Sequence, residues 1–583
     1  MIWLLFFTVL LWALAPGMAR ACTTVLVGKD ASATGKVLVG HNEDSGGRYV
    51  MHRHLVPSLS GRKGATARFE PGTALLPLPE DRAELYWSEA RTSSADGASF
   101  CDFYVNGNGV VVCSDNCSPS REDQPELCQG GMGYGLRRLT AEGARSAAHA
   151  IEIAIRLLDH FGYIASGRSY HFSDANESWV LQVVQGRGHY AVKRVPDDEV
   201  YLNPNHYTIR TPDPETPGLK ELEAYATLRG WYRPEDGPFD FARAFQAPTS
   251  WRNEKNFHRH LRGLEILLER PFPEEVELPF SIVPARKVGP DTVKKILRSH
   301  FEGTPSDVSK GASPHFMPTR PICVGTTLES HVVEPSHDPA KTVIHRALGR
   351  PCLAPYVPFL FGGLSPTEAP EKALTSHFSV PASDMDYSDT PWFRHTALQA
   401  AADLLYGGQT TELRTILHSL ESRMEEELKM LLHAPFSKEL AAEQARRFEQ
   451  QASETVLELY EGLRVLEGEG QGLVVGSTDR PFTLTFDAHD LRLRDLDIGQ
   501  TLCGPHFVGT SLWSHAIRVE PDGERLCLTF EGGEWRTSAV SCLTDLWVLL
   551  ALHGGRRAGR VLVHTVREDP DTREGRENSC GGA

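Results

Sequence analysis

Short apolar, β-branched runs alternate with glycine-containing turns in the first part of the chain. One run covers 23–28 and a second covers 36–40, with a stretch rich in Gly, Asp and Ser between them. This spacing predicts a two-stranded hairpin whose second strand returns to 41–45. The runs 103–105 and 110–112, separated by Asn-Gly-Asn-Gly, predict a second hairpin.

The pattern then changes to a helical period. Apolar residues recur at helical spacing across 136–161, and two strand-like runs follow at 178–184 and 189–195. Residues 259–268 and 291–300 again favour helices. The order of strands, helices and further strands predicts an α+β protein with a layered αββα arrangement, because strict β-α-β alternation is missing.

The last third of the chain divides into segments that differ in their predicted secondary structure. Leucines at helical spacing between 396 and 466 predict helices that pack together, and the chain after residue 471 is rich in short β-like runs. We therefore expect a large α+β domain at 22–390, a helical segment packing on it at 391–470, a small β-rich module at 471–567 and a disordered tail at 568–583.

The first 21 residues have the pattern of a secretory signal peptide. An apolar core at 2–15 is followed by Ala19-Arg20-Ala21, which fits the small-residue rule for cleavage before Cys22. Arg20 disfavours lipid attachment at this cysteine. No other segment is long and apolar enough to span a bilayer, so we expect a periplasmic or secreted protein with no stable membrane insertion after cleavage.

Composition narrows the function classes. The chain has 583 residues and a formal net charge of −16, which argues against nucleic acid as a partner. Sequence patterns for nucleotide or metal binding are missing, so no cofactor and no metal are expected. Of eleven cysteines, ten remain besides Cys22. In an oxidising compartment we expect disulfides among Cys101, Cys113, Cys117 and Cys128, with the connectivity open.

The other cysteines are interpreted as buried or paired thiols. They are Cys323, Cys352, Cys503, Cys527, Cys542 and Cys580.

Cleavage before Cys22 would place a thiol beside a free α-amine. That amine titrates near pH 8, against about 10.4 for a lysine, so it can accept the thiol proton near neutrality. The predicted hairpin also returns Asp44 to the neighbourhood of Cys22.

Several blocks of the sequence resemble, in the same order, those of the cysteine dipeptidase family that includes bacterial dipeptidase A and the secernins. The resemblance runs from Cys22 to about residue 361. The blocks are 22–29, 42–45, 131–139, 166–170, 194–200, 205–209, 279–284 and 300–305.

The resemblance implies the αββα fold of N-terminal-nucleophile hydrolases and hydrolysis of dipeptides or short peptides. It implies that Cys22 is the nucleophile and that Asp44 holds and tunes its amine. Asn205 matches an asparagine of the active-site polar network or oxyanion hole. Asn116 matches an oxyanion-hole position of the related penicillin V acylase and bile acid hydrolase branch by its offset alone.

An arginine between 251 and 262 is also implied to face the site, with Arg259 preferred and Arg262 and Arg252 left open. The chain departs from the family at His41, where an arginine usually precedes Asn-Glu-Asp. A neutral imidazole favours the thiolate less than an arginine does, which affects the activity, pH optimum or substrate.

Two other functions remain open. One is an amidase for N-acyl compounds, as in the acylase branch, and the other is a catalytically inactive exported binding protein. The substrate side chains, the oligomeric state and the role of 471–583 do not follow from the sequence.

Processing gives the first prediction. N-terminal sequencing and intact-mass analysis of exported protein should find Cys22 as the first residue with a free amine, because only cleavage there creates the base. A mature chain that starts elsewhere, or that carries an acyl group on Cys22, would contradict the export and activation model.

Overall fold

The computed structural model describes most of the chain between residues 22 and 462. The described ranges are 22–45, 49–70, 72–92, 99–121, 126–309, 314–315, 319–366, 390–406 and 410–462, with the backbone of five short strands between 473 and 536. The predicted signal peptide and the predicted tail at 568–583 lie outside the described residues.

Twenty-one strands are described, and most of them belong to the first 360 residues. They are β1 (Thr23–Val27), β2 (Leu38–Asp44), β3 (Tyr49–Val56), β4 (Thr66–Ala67), β5 (Leu76–Pro77), β6 (Leu85–Thr92), β7 (Ser99–Asn106), β8 (Val111–Asn116), β9 (Arg168–Ser173), β10 (Ser178–Val183), β11 (Tyr190–Arg194), β12 (Val200–Asn203), β13 (Ser281–Ile282), β14 (Thr327–Glu334), β15 (Val343–Leu348), β16 (Val357–Leu360), β17 (Leu473–Val475), β18 (Phe482–Leu484), β19 (Ile517–Asp522), β20 (Arg525–Phe530) and β21 (Gly533–Arg536).

The described α-helices fall between these strands along the chain. They are α1 (Gly135–Gly143), α2 (Ala147–Phe161), α3 (Leu219–Leu228), α4 (Phe241–Phe245), α5 (Glu254–Leu268), α6 (Pro290–Leu297), α7 (Pro391–Tyr406), α8 (Thr411–His433) and α9 (Lys438–Gly462).

Two seven-stranded antiparallel sheets form the centre of the molecule. The first has the order β13-β12-β1-β2-β14-β15-β16, and the second has the order β11-β10-β9-β8-β7-β6-β3. The predicted hairpins are present as β1–β2 and β7–β8. The Asn106–Gly109 turn joins the second pair, and the side-chain oxygen of Asn106 accepts from the backbone N–H groups of Asn108 and Val110.

Three apolar clusters define four layers. Leu26 and Val39 of the first sheet pack against Tyr86 and Phe103 of the second sheet. On the outside of the second sheet, Trp87, Tyr104 and Tyr170 pack against α1 and α2. On the outside of the first sheet, Val25 and Leu38 pack against α5 and α6. The predicted α+β, four-layer αββα fold is therefore confirmed.

The helical run at 136–161 is divided into two helices because Ser146 caps the second one. The first helix ends at Gly143, where the backbone of Ala144 becomes extended, and the Ser146 side chain then accepts a hydrogen bond from the backbone N–H of His149. Alanines and branched residues on the buried face of α2 then pack on the second sheet. The break therefore comes from capping chemistry, while the helical period continues on either side of it.

After the two sheets, α7, α8 and α9 lie against the β15–β16 edge. Val357 of β16 shares a buried cluster with Leu420 and Met424 of α8 and with Phe448 of α9. Among the described helices, none is both long enough and apolar enough to cross a membrane. In the predicted β-rich module, β17 pairs with β18, and β19, β20 and β21 form a small sheet.

The expected disulfides among the early cysteines are not formed by the three whose side chains the structure describes. Cys113, Cys117 and Cys128 are free thiols. Cys113 lies in β8 and Cys117 directly follows that strand, so an extended chain separates them by about 13 Å, well beyond the reach of a disulfide. The side chain of Cys101 lies outside the described residues.

The close approach of α6 to β2 generates the second prediction. A Cβ on Gly40 would lie 2.3 Å from Val293 Cγ1, and the valine cannot swing away because it is fully buried. We expect Gly40→Ala to lower the free energy of unfolding by about 1–3 kcal/mol through overpacking, measured by urea denaturation.

Gly107→Ala is the matched control, because its Cβ would meet nothing closer than 3.4 Å. It should change the free energy of unfolding by less than about 0.5 kcal/mol. Equal losses in the two variants would contradict this account of the α6–β2 contact.

Candidate active site

The register of the first hairpin brings Cys22 and Glu43 together. Thr23 pairs with Asn42 and Thr24 pairs with His41, so Cys22 at the head of β1 faces Glu43 one step further along. The thiol of Cys22 donates to Glu43 Oε2 at 3.5 Å, and His41 Nε2 lies 3.4 Å from the same oxygen. Glu43 therefore bridges the sulfur and the imidazole.

The Cys22 thiol is buried and held in its protonated form. Burial raises the pKa of Cys22 well above its usual value, and the negative charges of Glu43, Asp115 and Asp44 raise it further. A hydrogen bond from the backbone of Asp44 acts in the opposite direction. The thiol therefore needs a base, or a nearby positive charge, before it can attack a carbonyl group.

His41 occupies the position where the family resemblance leads one to expect an arginine. Its ring is fully buried between the sheets, and Nδ1 lies 2.9 Å from Thr24 Oγ1. Burial lowers the pKa of His41 although Asp115 and Asp44 favour its charged form. At neutral pH the imidazole is therefore neutral, and its link to the sulfur passes through Glu43.

Asp44 is fixed by groups that are distant in the sequence. Thr327 Oγ1 donates to its Oδ1 at 2.7 Å, and Arg320 Nη2 donates to its Oδ2 at 3.2 Å. Burial raises the pKa of Asp44, while Arg320, Thr327 and Arg259 oppose this rise. The carboxylate is thus held in one orientation, close enough to Cys22 for its charge to raise the pKa of the thiol.

Arg259 connects α5 to the head of β1. Its Nη1 donates to the carbonyl oxygen of Cys22 at 2.9 Å and to Thr23 Oγ1 at 3.0 Å. Its Nη2 donates to the carbonyl of Pro204 and to Asn205 Oδ1, each at 2.9 Å. Burial lowers the pKa of Arg259 to about 9, with Arg320 adding to the effect.

The structure distinguishes Arg259, the preferred choice from the sequence, from the two alternatives that were left open. Arg262 donates to the carbonyl of Glu302 at 2.7 Å, and Arg252 donates to the carbonyl of Glu274. Only Arg259 among these three bonds Cys22 in the described structure.

Asn205 presents an amide to the same region. It has a positive φ of 73°, and its backbone N–H donates to Asn203 Oδ1 at 2.9 Å. Since Arg259 takes its Oδ1, the amide Nδ2 must face the other way. That Nδ2 is buried and has no hydrogen-bond partner among the described residues. An unused buried donor is costly, so this amide is suited to bind an oxygen of a ligand.

Asn116 lies on the second sheet, at the end of β8 opposite Arg168. Its Nδ2 donates a hydrogen bond to the hydroxyl of Ser118 at 3.4 Å, and its Oδ1 accepts one from the backbone N–H of Ser118 at 3.3 Å. Burial disfavours the charge of the neighbouring Arg168, but three tyrosines and Cys22 raise its pKa overall. Asn116 therefore remains a predicted site residue, while Arg168 adds a positive charge near the sulfur.

Sequence reasoning assigned no role to Glu43, Arg168, Arg320 or Thr327. Glu43 and Arg168 lie inside blocks of the family resemblance, and that was the available signal. Arg320 and Thr327 carry no local signal: the pairing of β14 with β2 places Thr327 opposite Asp44, and the segment before β14 brings Arg320 to the same carboxyl group.

The cluster also has the donors for a metal ion. One ligand atom each from Cys22, His41 and Glu43 lies within 4.8 Å of the others. The hydrogen bonds through Glu43 already account for this proximity.

The four-layer αββα arrangement defines the chain as a protein with the N-terminal-nucleophile hydrolase fold. Within that fold, it belongs to peptidase family C69, whose model matches residues 21–381. The resemblance found in the sequence blocks is thereby confirmed, and the chain is a peptidase by family.

Several proteins of similar sequence are named as dipeptidases. A probable dipeptidase of Salmonella dublin is 27% identical over 379 residues, covering 60% of this chain and 83% of the relative. A dipeptidase of Bifidobacterium longum is 28% identical over 49% of this chain and 60% of the relative. A probable dipeptidase of Latilactobacillus sakei is 26% identical over 409 residues, which cover 66% of this chain and 82% of the relative.

Solved structures with similarity to the chain include two hydrolases. Penicillin V acylase from Agrobacterium tumefaciens aligns over 56% of this chain and 82% of its own, at 12% identity and a TM-score of 0.28. A mutant form of conjugated bile acid hydrolase from Clostridium perfringens aligns over 56% of this chain and 89% of its own, at 11% identity and a TM-score of 0.29.

The contact between Cys22 and Glu43 gives the third prediction. Glu43→Gln removes the nearest negative charge, so the pKa of the Cys22 thiol should fall and the thiolate should form at lower pH. The rate of alkylation of Cys22 as a function of pH, followed by peptide mass spectrometry, measures this shift. The difference should be largest on the alkaline side, because burial raises the pKa of Glu43 and keeps it protonated at lower pH.

Glu254→Gln, an exposed residue of the first turn of α5, serves as the control and should leave the profile unchanged. A Glu43→Gln profile that is unchanged or displaced to higher pH would show that Glu43 does not control the thiol.

Proposed function

We propose that the protein is an exported cysteine dipeptidase whose nucleophile, Cys22, is released as the N-terminal residue by removal of residues 1–21. Membership of peptidase family C69 and the dipeptidase names of its relatives support peptide-bond hydrolysis of short substrates. The export step rests on the sequence pattern before Cys22.

The observation that carries the proposal is the set of contacts at the head of β1. The carbonyl oxygen of Cys22 is bonded by Arg259 at 2.9 Å, and Arg259 also holds Asn205, whose amide Nδ2 has no other partner in the described structure. One cation thus orients both the sulfur-bearing residue and a free hydrogen-bond donor. A structural cysteine would not require such a donor.

In the first step, the free amine of Cys22 takes the thiol proton, and the thiolate attacks the carbonyl carbon of the substrate. Asp44 orients the resulting ammonium group. The tetrahedral oxyanion accepts a hydrogen bond from Asn205 Nδ2 and from a second donor, for which Asn116 is our candidate. A single donor of this kind contributes about 2.7–4 kcal/mol to transition-state stabilisation in other enzymes.

In the second step, the ammonium group of Cys22 gives its proton to the leaving amine, which departs as the C–N bond breaks. The thioester that remains is then cleaved by water, with the α-amine again accepting a proton. Hydrolysis restores the thiol and the free amine, so no external proton donor is consumed.

The neutral His41 changes how the thiolate is stabilised. Arg259 and Arg168 both interact electrostatically with Cys22, so they supply the positive charge that an arginine at position 41 would otherwise give. These two charges oppose the effect of burial and of the neighbouring carboxyl groups, and the α-amine of Cys22 takes the thiol proton, so a protonated imidazole is not required.

The fourth prediction tests the nucleophile on processed protein that begins at Cys22. A panel of unblocked dipeptides should be hydrolysed by the wild type, Cys22→Ala should abolish turnover, and Cys22→Ser should reduce it strongly. Cys128→Ser, at a half-buried free cysteine outside the site, should keep wild-type activity.

Two outcomes would contradict the proposal. Full activity of Cys22→Ala would remove the nucleophile assignment. Turnover of N-acyl amino compounds in place of dipeptides would favour the amidase alternative and leave the nucleophile intact.

A further inference from the structure

Four metal-ligating side chains meet in a buried cluster outside the candidate active site. They are His300, His315, Cys323 and Cys352. His300 lies just after α6, Cys323 lies before β14, and Cys352 lies after β15. Each is at most 3% exposed, and one ligand atom from each lies within 4.8 Å of the others. We propose that these four residues bind a structural Zn²⁺ ion.

The spacing inside the cluster is close to that of a tetrahedral site. His315 Nε2 lies 3.0 Å from Cys352 Sγ, and the rings of His300 and His315 have centroids 4.9 Å apart. In a zinc site with bonds of about 2.0–2.3 Å, neighbouring ligand atoms are about 3.3–3.8 Å apart. Small side-chain rotations would therefore close the cluster around an ion.

His300 supplies an independent indication of a ligand. Its Nε2 is buried and has no hydrogen-bond partner among the described residues. Its other nitrogen, Nδ1, lies 3.3 Å from Glu302 Oε1, which selects the tautomer that leaves the Nε2 lone pair free. Histidines that bind zinc usually donate their other ring N–H to a carboxylate or a carbonyl in this way.

The ligand chemistry selects the metal. Two thiolates and two imidazoles favour Zn²⁺ over the oxygen-seeking ions, and four protein ligands leave no open position for catalysis. Binding displaces the protons of both thiols, so the dication and two thiolates form a neutral unit that tolerates burial. Cys323 and Cys352 are free thiols here, and a disulfide between them would leave His300 Nε2 unexplained.

The cluster is linked to Asp44 through the segment that contains Cys323. Arg320 and Thr327, which bond the two oxygens of Asp44, lie three residues before and four residues after Cys323. The backbone N–H of Gly325 in the same segment donates to the carbonyl of His315 at 3.0 Å. An ion bound at Cys323 would therefore fix the backbone that orients Asp44.

The metal content of the purified, processed full chain gives the fifth prediction. After dialysis against metal-free buffer, elemental analysis should find about one zinc per chain, as expected for a single closed site. Cys352→Ser and His300→Gln should lose it. Cys22→Ala and Cys128→Ser should retain it, which separates this site from the cluster of Cys22, His41 and Glu43.

A milder variant covers the case in which ligand variants do not fold. Glu302→Ala changes a side chain that is 46% exposed and should weaken zinc affinity about 10–100-fold, as for other carboxylates that orient a zinc-binding histidine.

In wild-type protein, Cys323 and Cys352 should resist alkylation until a chelator is added. Cobalt-substituted protein should show the visible absorption of tetrahedral thiolate coordination.

Three results would overturn the proposal: wild-type protein that neither contains nor takes up stoichiometric zinc, a Cys323–Cys352 disulfide in the mature chain, or zinc lost from Cys22→Ala while Cys352→Ser retains it. These measurements need no enzymatic activity, so they stand whether or not the proposed dipeptidase function does. The link to Asp44 rests on that function, and chelation should then reduce peptidase activity together with the loss of zinc.

Discussion

The buried guanidinium of Arg259 is the interaction on which the site depends. It is fully enclosed and satisfies oxygens from two separate parts of the chain, at Cys22 and at the adjacent residues Pro204 and Asn205. A buried charge is tolerated only when it is well hydrogen-bonded, so removing any of these acceptors would leave an expensive unpaired donor. The same requirement keeps α5, β12 and the head of β1 in one arrangement.

Around this cation the fold gathers buried carboxyl groups. Glu43 and Asp115 face the interior between the sheets, and Asp44 lies at the end of β2. Burial raises the pKa of all three, and their negative charge raises that of Cys22. Such a site resists forming a thiolate in the resting state. An internal base would therefore be valuable, and the α-amine created by processing would supply one.

The parts of the fold that follow from local pattern were predictable. The β1–β2 hairpin, the Asn-Gly turn of β7–β8 and the helical stretches can be read from apolar spacing and turn residues, and the family blocks indicated the four layers. The expected disulfides among Cys113, Cys117 and Cys128 were wrong, because pairing by proximity in sequence ignores the extended strand that keeps Cys113 and Cys117 apart.

The sequence by itself determined the helices and strands, the fold class and the choice of Cys22 as candidate nucleophile. These depend on short-range periodicity, turn chemistry and an ordered set of motifs. Tertiary structure alone decided that Arg259, and not Arg262 or Arg252, reaches Cys22, and that Arg320 and Thr327 hold Asp44. It alone assembled His300, His315, Cys323 and Cys352. The physical reason is distance along the chain. Strand pairing and helix packing join residues tens to hundreds of positions apart, and no local pattern records which of them will meet.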